Sequence, residues 1–411
     1  MKLLPARFVL TSFIALTAVL ASAQPAEDPQ AAARASLVRI EALRKERPGD
    51  GALVFYQAFV HASLGERDAV LELLRSLRGR KLGLIPVRGV GFDALWDDPD
   101  FQSVRKELAD EEPRTPDAPV AFRLSDPKLI PEGIAYDSRG DRFFLGSIAQ
   151  RKIIVSDRKG QARDFSGPND KLDAVLGLVV DARRGHLYAV STNGFLDEAK
   201  NARRNAVVRY ELKSSKLLDR FEVPAAMQLN DLALAEDGTL YVTDSAGGAL
   251  FRKKTHEKEL KPLGTAGALR GANGIAIGND GNLYVAISTG IARVNSETGE
   301  PTRLPQPDSV VTGGCDGLYW HDGDLLGIQN STNPGRVVRI ALAEKGTRIE
   351  GLTVLQSHHH PEFVEPTTGA IAKGALHVIA NSYVGRYQPD GAIKDPDELK
   401  GTAIVAVPLK R

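Results

Sequence analysis

The chain has 411 residues, and its 53 Lys and Arg balance 52 Asp and Glu to leave a formal charge of +1. That balance excludes a strongly basic nucleic-acid binder and an acidic disordered tail. A single cysteine, Cys315, excludes an intramolecular disulfide framework and any thiolate-rich zinc or iron–sulfur site, and the length calls for a large domain with something smaller beside it.

Lys2 and Arg7 precede an uncharged apolar run from Phe8 to Leu20, and Ala21-Ser22-Ala23 places small residues just before Gln24. The pattern predicts a secretory leader over 1–23, cleaved so that the rest of the chain is exported to the periplasm or beyond. The apolar run is too short to cross a bilayer at ~1.5 Å rise per residue.

Over 24–110 the apolar period is helical. Leu37, Ile40 and Leu43 share a face, Pro48-Gly49-Asp50-Gly51 breaks the run, and Ala52 to Leu64 resumes it. Gly65 to Asp68 then turns the chain into a further helix over Ala69 to Leu77. This resembles one tetratricopeptide hairpin, where a stable array needs about three copies, so the segment is expected to dock a protein partner or cap the larger domain. Pro99 fits the first turn of a last short helix. Residues 111–119, rich in charge and proline, read as a linker.

From 120 to 411 the period becomes strand-like, and the chain repeats six times: Pro131 to Ser147, Leu176 to Ser191, Asn230 to Ser245, Asn273 to Ser288, Asp316 to Asn330 and Thr368 to Asn381. Each copy is a short apolar strand, a Gly-containing turn and a second apolar strand, and further strands follow, as at Ala206 to Leu212 or Ile349 to Leu355. The spacing predicts an all-β six-bladed β-propeller preceded by the small helical segment. The last copy runs out of chain after its third strand, so Val120 to Leu124 is expected to complete it and close the ring.

Inner strands of a propeller converge on its axis. The residue that opens each is Glu132, Leu176, Asn230, Asn273, Asp316 or Thr368, mostly followed by Gly. Two carboxylates and two amide oxygens are hard donors that suit Ca²⁺ or another divalent cation and not zinc. The alternative is that these side chains simply bond loop backbones at strand ends. Ser147, Ser245, Ser288, Asn330 and Asn381 form a second polar rim at the ends of the second strands. The His358-His359-His360 triplet, His186 and His321 fall in loops and turns and are expected to face solvent, and Cys315 to be a buried small side chain.

Glu132-Gly133, Asn230-Asp231, Asn273-Gly274 and Asp316-Gly317, in that order and blade register, resemble the gluconolactonase and regucalcin-like (senescence-marker-protein type) propeller family over about residues 120–411. The resemblance implies a divalent metal held by Glu132, Asn273 and Asp316, with Asn230 facing substrate. Two positions depart from it: Gln228 stands where the family often has a substrate-reading Arg, and Cys315 where it often has Pro. The expected activity is Ca²⁺-dependent hydrolysis of a small-molecule lactone or ester, with Asp316 accepting the proton of the attacking water, Asn230 orienting substrate or water, and Gln228 and Asn230 contacting substrate. The competing expectation is a non-catalytic binding propeller docked through its helical segment, with the metal serving stability.

Overall fold

The structure, a computed structural model, describes residues 29–409, apart from the side chains of Pro29 and Glu344. The expected leader over 1–23 lies outside these. Four helices come first: α1 (Pro29–Glu46), α2 (Gly51–Ser63), α3 (Arg67–Arg75) and α4 (Pro99–Asp110). Asp50 caps α2 through Ala52 N at 3.1 Å. Asp98 caps α4 through the amides of Asp100 and Phe101, with Pro99 in the first turn, where its missing N–H costs nothing. Phe55, Phe59, Phe92 and Phe101 form the centre of the helical core. Among the described residues no helix is long and apolar enough to cross a membrane.

Among the described residues, twenty-four strands then build six four-stranded antiparallel sheets around one axis. Blade one holds β2 (Pro131–Asp137), β3 (Arg142–Ser147), β4 (Lys152–Ser156) and β5 (Ala162–Asp164). Blade two has β6 (Ala174–Asp181) to β9 (Leu217–Glu222), blade three β10 (Leu229–Leu234) to β13 (Lys261–Leu263), and blade four β14 (Ile275–Ile277) to β17 (Pro301–Arg303). Blade five runs from β18 (Cys315–His321) through β19 (Asp324–Gln329) and β20 (Arg336–Leu342) to β21 (Ile349–Gln356). In blade six β22 (Gly369–Ala372), β23 (Ala375–Ile379) and β24 (Ala403–Pro408) are joined by β1 (Val120–Arg123), which pairs with β24 and closes the ring as the sequence predicts. The short outer strands β5 and β17 carried no readable apolar pattern.

The apolar core is divided between blades. Each neighbouring pair shares its own cluster, such as Phe122, Phe143 and Ile404 where blade six meets blade one, or Tyr284, Leu325 and Ile340 between blades four and five. Strand direction fixes what lies at each end of the axis: inner strands begin on the face where second strands turn into third strands. The helical segment packs on that face over blades four and five. Tyr56 Oη donates to Ser288 O at 2.5 Å, Ile85 N to Thr332 O at 2.9 Å, and Val311 joins the helical core. Residues 111–119 are fastened too: Thr115 Oγ1 accepts from Ser357 N at 2.9 Å and Ala118 N donates to Gln356 Oε1 at 2.8 Å.

Across the same face, the long loop between β23 and β24 reaches blade two. Phe195 and Tyr387 meet edge to face at 6.4 Å, and Asp197 N donates to Pro389 O at 3.1 Å.

Closure through β1 makes Phe122 a test of the ring. It is 5 % exposed, its ring centroid lies 5.2 Å from that of Phe143, and Phe122→Ala is expected to cost about 3–5 kcal/mol. The denaturant midpoint measures it; a loss under about 1 kcal/mol would mean the strand contributes little to closure.

Candidate metal centre and channel

The six opening residues do converge at the mouth of the axial channel. The backbone carbonyl of Glu132 accepts hydroxyl bonds from Thr367, at 3.1 Å, and Thr368. Gly274 N donates to Asp316 O at 2.8 Å, tying β14 to β18. The glycine after the polar position has a steric reason: a Cβ on Gly274 would lie 2.4 Å from Leu318 N, so the inner strands could not approach with any larger residue there.

Glu132, Asn230 and Asp316 are buried and Asn273 is half-buried. Asp316 is held from both sides, Oδ1 accepting from Asn273 Nδ2 at 2.8 Å and Oδ2 from Asn330 Nδ2 at 2.6 Å. Asn230 Nδ2 donates to Ser245 Oγ at 2.8 Å. Three buried acceptor oxygens at this end have no hydrogen-bond partner: Glu132 Oε2, Asn273 Oδ1 and Gln228 Oε1. Leu176 adds no polar atom, and Thr368 is spent on the Glu132 backbone.

Sequence reasoning missed two groups of the channel. Asp231 and Tyr319 follow the opening residues of β10 and β18, and both line a cavity of about 410 Å³ below the mouth, otherwise walled largely by inner-strand apolar residues. Asp231 was legible only as half of the Asn-Asp pair, because one residue's shift along a strand should turn its side chain away. The irregular register of β10 between Leu229 and Leu232 removes that expectation. Tyr319 Oη accepts from Gly369 N at 2.6 Å.

Burial governs the electrostatics. It pushes the Asp316 carboxyl up to about 6, against the two amide bonds that favour its charged form. It pushes Asp231 up to about 7, helped by Asp316 and opposed by the amides of Leu232 and Ile275. Glu132 is driven well above the usual carboxylate range by burial and then by Asp316 and Asp231, and the Tyr319 phenol is raised by burial and the same three carboxyls.

The donor set fits a hard divalent cation. The described residues contain no cluster of three or more His, Cys, Asp or Glu side chains suited to a metal, so a cation here depends on amide oxygen as well as carboxylate, a chemistry typical of Ca²⁺. Two orphaned oxygens, Glu132 Oε2 and Asn273 Oδ1, on residues that respectively feel the Asp316 charge and bond its carboxylate, are what such an ion would satisfy.

The polar rim divides. Ser147, Ser288 and Asn381 bond nearby backbone, as strand-end residues do, whereas Asn330 and Ser245, besides bonding the carbonyls of Pro366 and Ala272, hold Asp316 and Asn230. Cys315 is buried and free. The histidine triplet is not solvated as expected: His360 is buried, its Nε2 2.9 Å from Ala118 O, and His358 stacks on His359. The residues fastening 111–119 to blade five cover it. His186 and His321 are half-buried rather than fully exposed at their turns.

No protein-family model matches the chain, and no curated protein matches it. Solved structures similar to it include the PQQ-bound aldose sugar dehydrogenase of Streptomyces coelicolor, with 15% identity, TM-score 0.49, and coverage of 72% of this chain and 99% of that one. A gluconolactonase of Xanthomonas campestris has 15% identity, TM-score 0.47 and coverage of 72% and 99%. Virginiamycin B lyase of Staphylococcus aureus has 16% identity, TM-score 0.44 and coverage of 63% and 84%.

The carboxyl shifts make a signed prediction. Asp316 and Asp231 bind protons more tightly folded than unfolded, so their contribution to stability is complete below the ordinary Asp range and is lost as pH rises through about 6 and 7. In chelator the melting temperature should therefore fall between pH 5 and pH 8 relative to a sample saturated with Ca²⁺, which restores it by binding the folded state. Melting curves that coincide at every pH, with no metal in the purified protein, would return these residues to loop bonding alone.

Proposed function

We propose that the protein is an exported, Ca²⁺-dependent hydrolase of a small lactone or ester, with Glu132, Asn273 and Asp316 as the cation ligands. The observation that carries this reading is the pair of buried, partnerless oxygens of Glu132 and Asn273 beside the Asp316 carboxylate. The fold decides nothing, since similar propellers bear names as different as dehydrogenase, lactonase and lyase.

When bound, the cation supplies a Lewis acid that polarises the substrate carbonyl. The protein's own groups do the rest. Asn273 and Asn330 hold Asp316 as a carboxylate, able to take the proton of an attacking water on one of its oxygens. Asn230, anchored through its Nδ2 by Ser245, orients water or substrate with its amide oxygen. Gln228 is 2 % exposed, and its Oε1 offers an acceptor to a substrate hydroxyl or N–H. A neutral amide at that point suits an uncharged substrate better than an acid, which an arginine would hold. The apolar walls below the mouth keep bulk water from the reacting carbonyl.

Asp316→Asn keeps an oxygen of the same reach while removing the charge and the base. Hydrolysis should fall by ~10²- to 10⁴-fold, and the loss should persist at saturating Ca²⁺. Asn230→Ala should lower turnover while leaving Ca²⁺ affinity unchanged. Wild type inactive on a panel of lactones and aryl esters, or Asp316→Asn fully active, would move the non-catalytic binding reading ahead.

A further inference from the structure

Blade five carries an ion pair buried more deeply than any surface bridge. The side chains of Arg336 and Glu112 are 3% and 1% exposed, with Arg336 Nη1 3.1 and 3.0 Å from the two Glu112 oxygens. Glu112 belongs to the segment just after α4, so the pair joins the helical segment to the first residue of β20. The guanidinium is used elsewhere as well: Nη2 donates to Leu82 O at 3.1 Å and Nε to Gln329 Oε1 at 2.8 Å. Gly83 must be glycine beneath it, with a φ of +67° and a hypothetical Cβ 1.8 Å from Nη1.

Gln329 passes the contact on. Fully buried, it donates through Nε2 to Val311 O at 3.1 Å and Gly313 O at 2.7 Å, and it pairs in register with Cys315. Those carbonyls belong to the loop that leads into Cys315 and Asp316. The next residue of the same turn, Asn330, donates to Asp316 Oδ2. From the opposite side Val311 is packed into the helical core. A series of buried bonds therefore runs from Glu112 through Arg336 to Gln329, which bonds the loop leading into Asp316 and directly precedes Asn330, one of the two amides that hold the Asp316 carboxylate.

We infer that Arg336 is a positioning residue for the Asp316 half of the cation site, and that the helical segment is a structural part of that site, not a module hung beside it. The inference rests on Asp316 being a cation ligand. A lysine cannot replace Arg336, since one ammonium cannot reach Glu112, Gln329 and Leu82 O together in the geometry of the planar fork.

The test uses the full chain and reads three quantities at a temperature well below melting: Ca²⁺ affinity by titration calorimetry, amide hydrogen exchange over 311–316, and the melting temperature. Arg336→Lys is expected to weaken Ca²⁺ binding roughly 10- to 100-fold, the range for loss of a partner that orients a ligand. Exchange over 311–316 should quicken while β2 and β3 stay protected. Glu112→Gln, which keeps the oxygen acceptor, should give a smaller effect of the same kind and serves as the variant if Arg336→Lys does not fold. A lowered melting temperature with wild-type Ca²⁺ affinity and wild-type exchange over 311–316 would make the pair merely structural and overturn the inference. Wild type that binds no Ca²⁺ would instead defeat the cation reading and the role of Arg336 toward it, and unchanged exchange in the variants would then remove the brace too.

Discussion

Six strands that begin around one axis must bring their first residues together, and here two of those residues, Glu132 and Asp316, are carboxyls, with Asp231 adding a third one position further on. Burial has raised Glu132, Asp231 and Asp316, and apart from burial the groups acting on Glu132 are the other two acids. Like charges in a poorly solvated channel need protons or a cation. Much of the surrounding structure reads as provision for that: amides aimed at Asp316, threonines on the Glu132 backbone, and glycine where the strands come closest. The same geometry leaves Glu132 Oε2 and Asn273 Oδ1 without donors, a loss that only a ligand from outside would recover.

The propeller was legible because its signal is repetition. A strand–turn–strand unit recurring every 43 to 54 residues shows itself even where single strands are weak, and the missing sixth outer strand could be assigned to Val120 to Leu124 by counting. What stayed hidden was of two kinds. Strands β5 and β17, three residues each, bury too little to leave an apolar pattern. Asp231 and Tyr319 reach the channel because of local register and side-chain length, which no spacing rule encodes. The polar rim showed the opposite weakness: Ser147, Ser288 and Asn381 share a position with Asn330 and Ser245, but only the structure separates backbone caps from supports of the site.

The helical segment illustrates a limit of composition as a guide. Charge and proline mark 111–119 as a tether, and the tetratricopeptide-like hairpin suggests a surface for another protein. In the folded chain Glu112 is buried, Thr115 and Ala118 are bonded to the end of β21, and α2 reaches the rim of blade four through Tyr56. Proline there fixes a path across the molecule instead of providing slack. With the β23–β24 loop crossing to blade two on another side, the mouth is bordered by two elements that are not blades.

The strand that completes blade six comes from the start of the propeller sequence and its partner from the end, Val120 lying opposite Val405. During synthesis the first strand therefore waits for nearly the whole domain to be made before its ladder can form. Until then blade six does not exist, blade one lacks the neighbour that covers Phe143, and one sheet edge stays open. The slow step of folding is then a contact of very long sequence separation, whose rate is set by chain entropy more than by the strength of the final pairing.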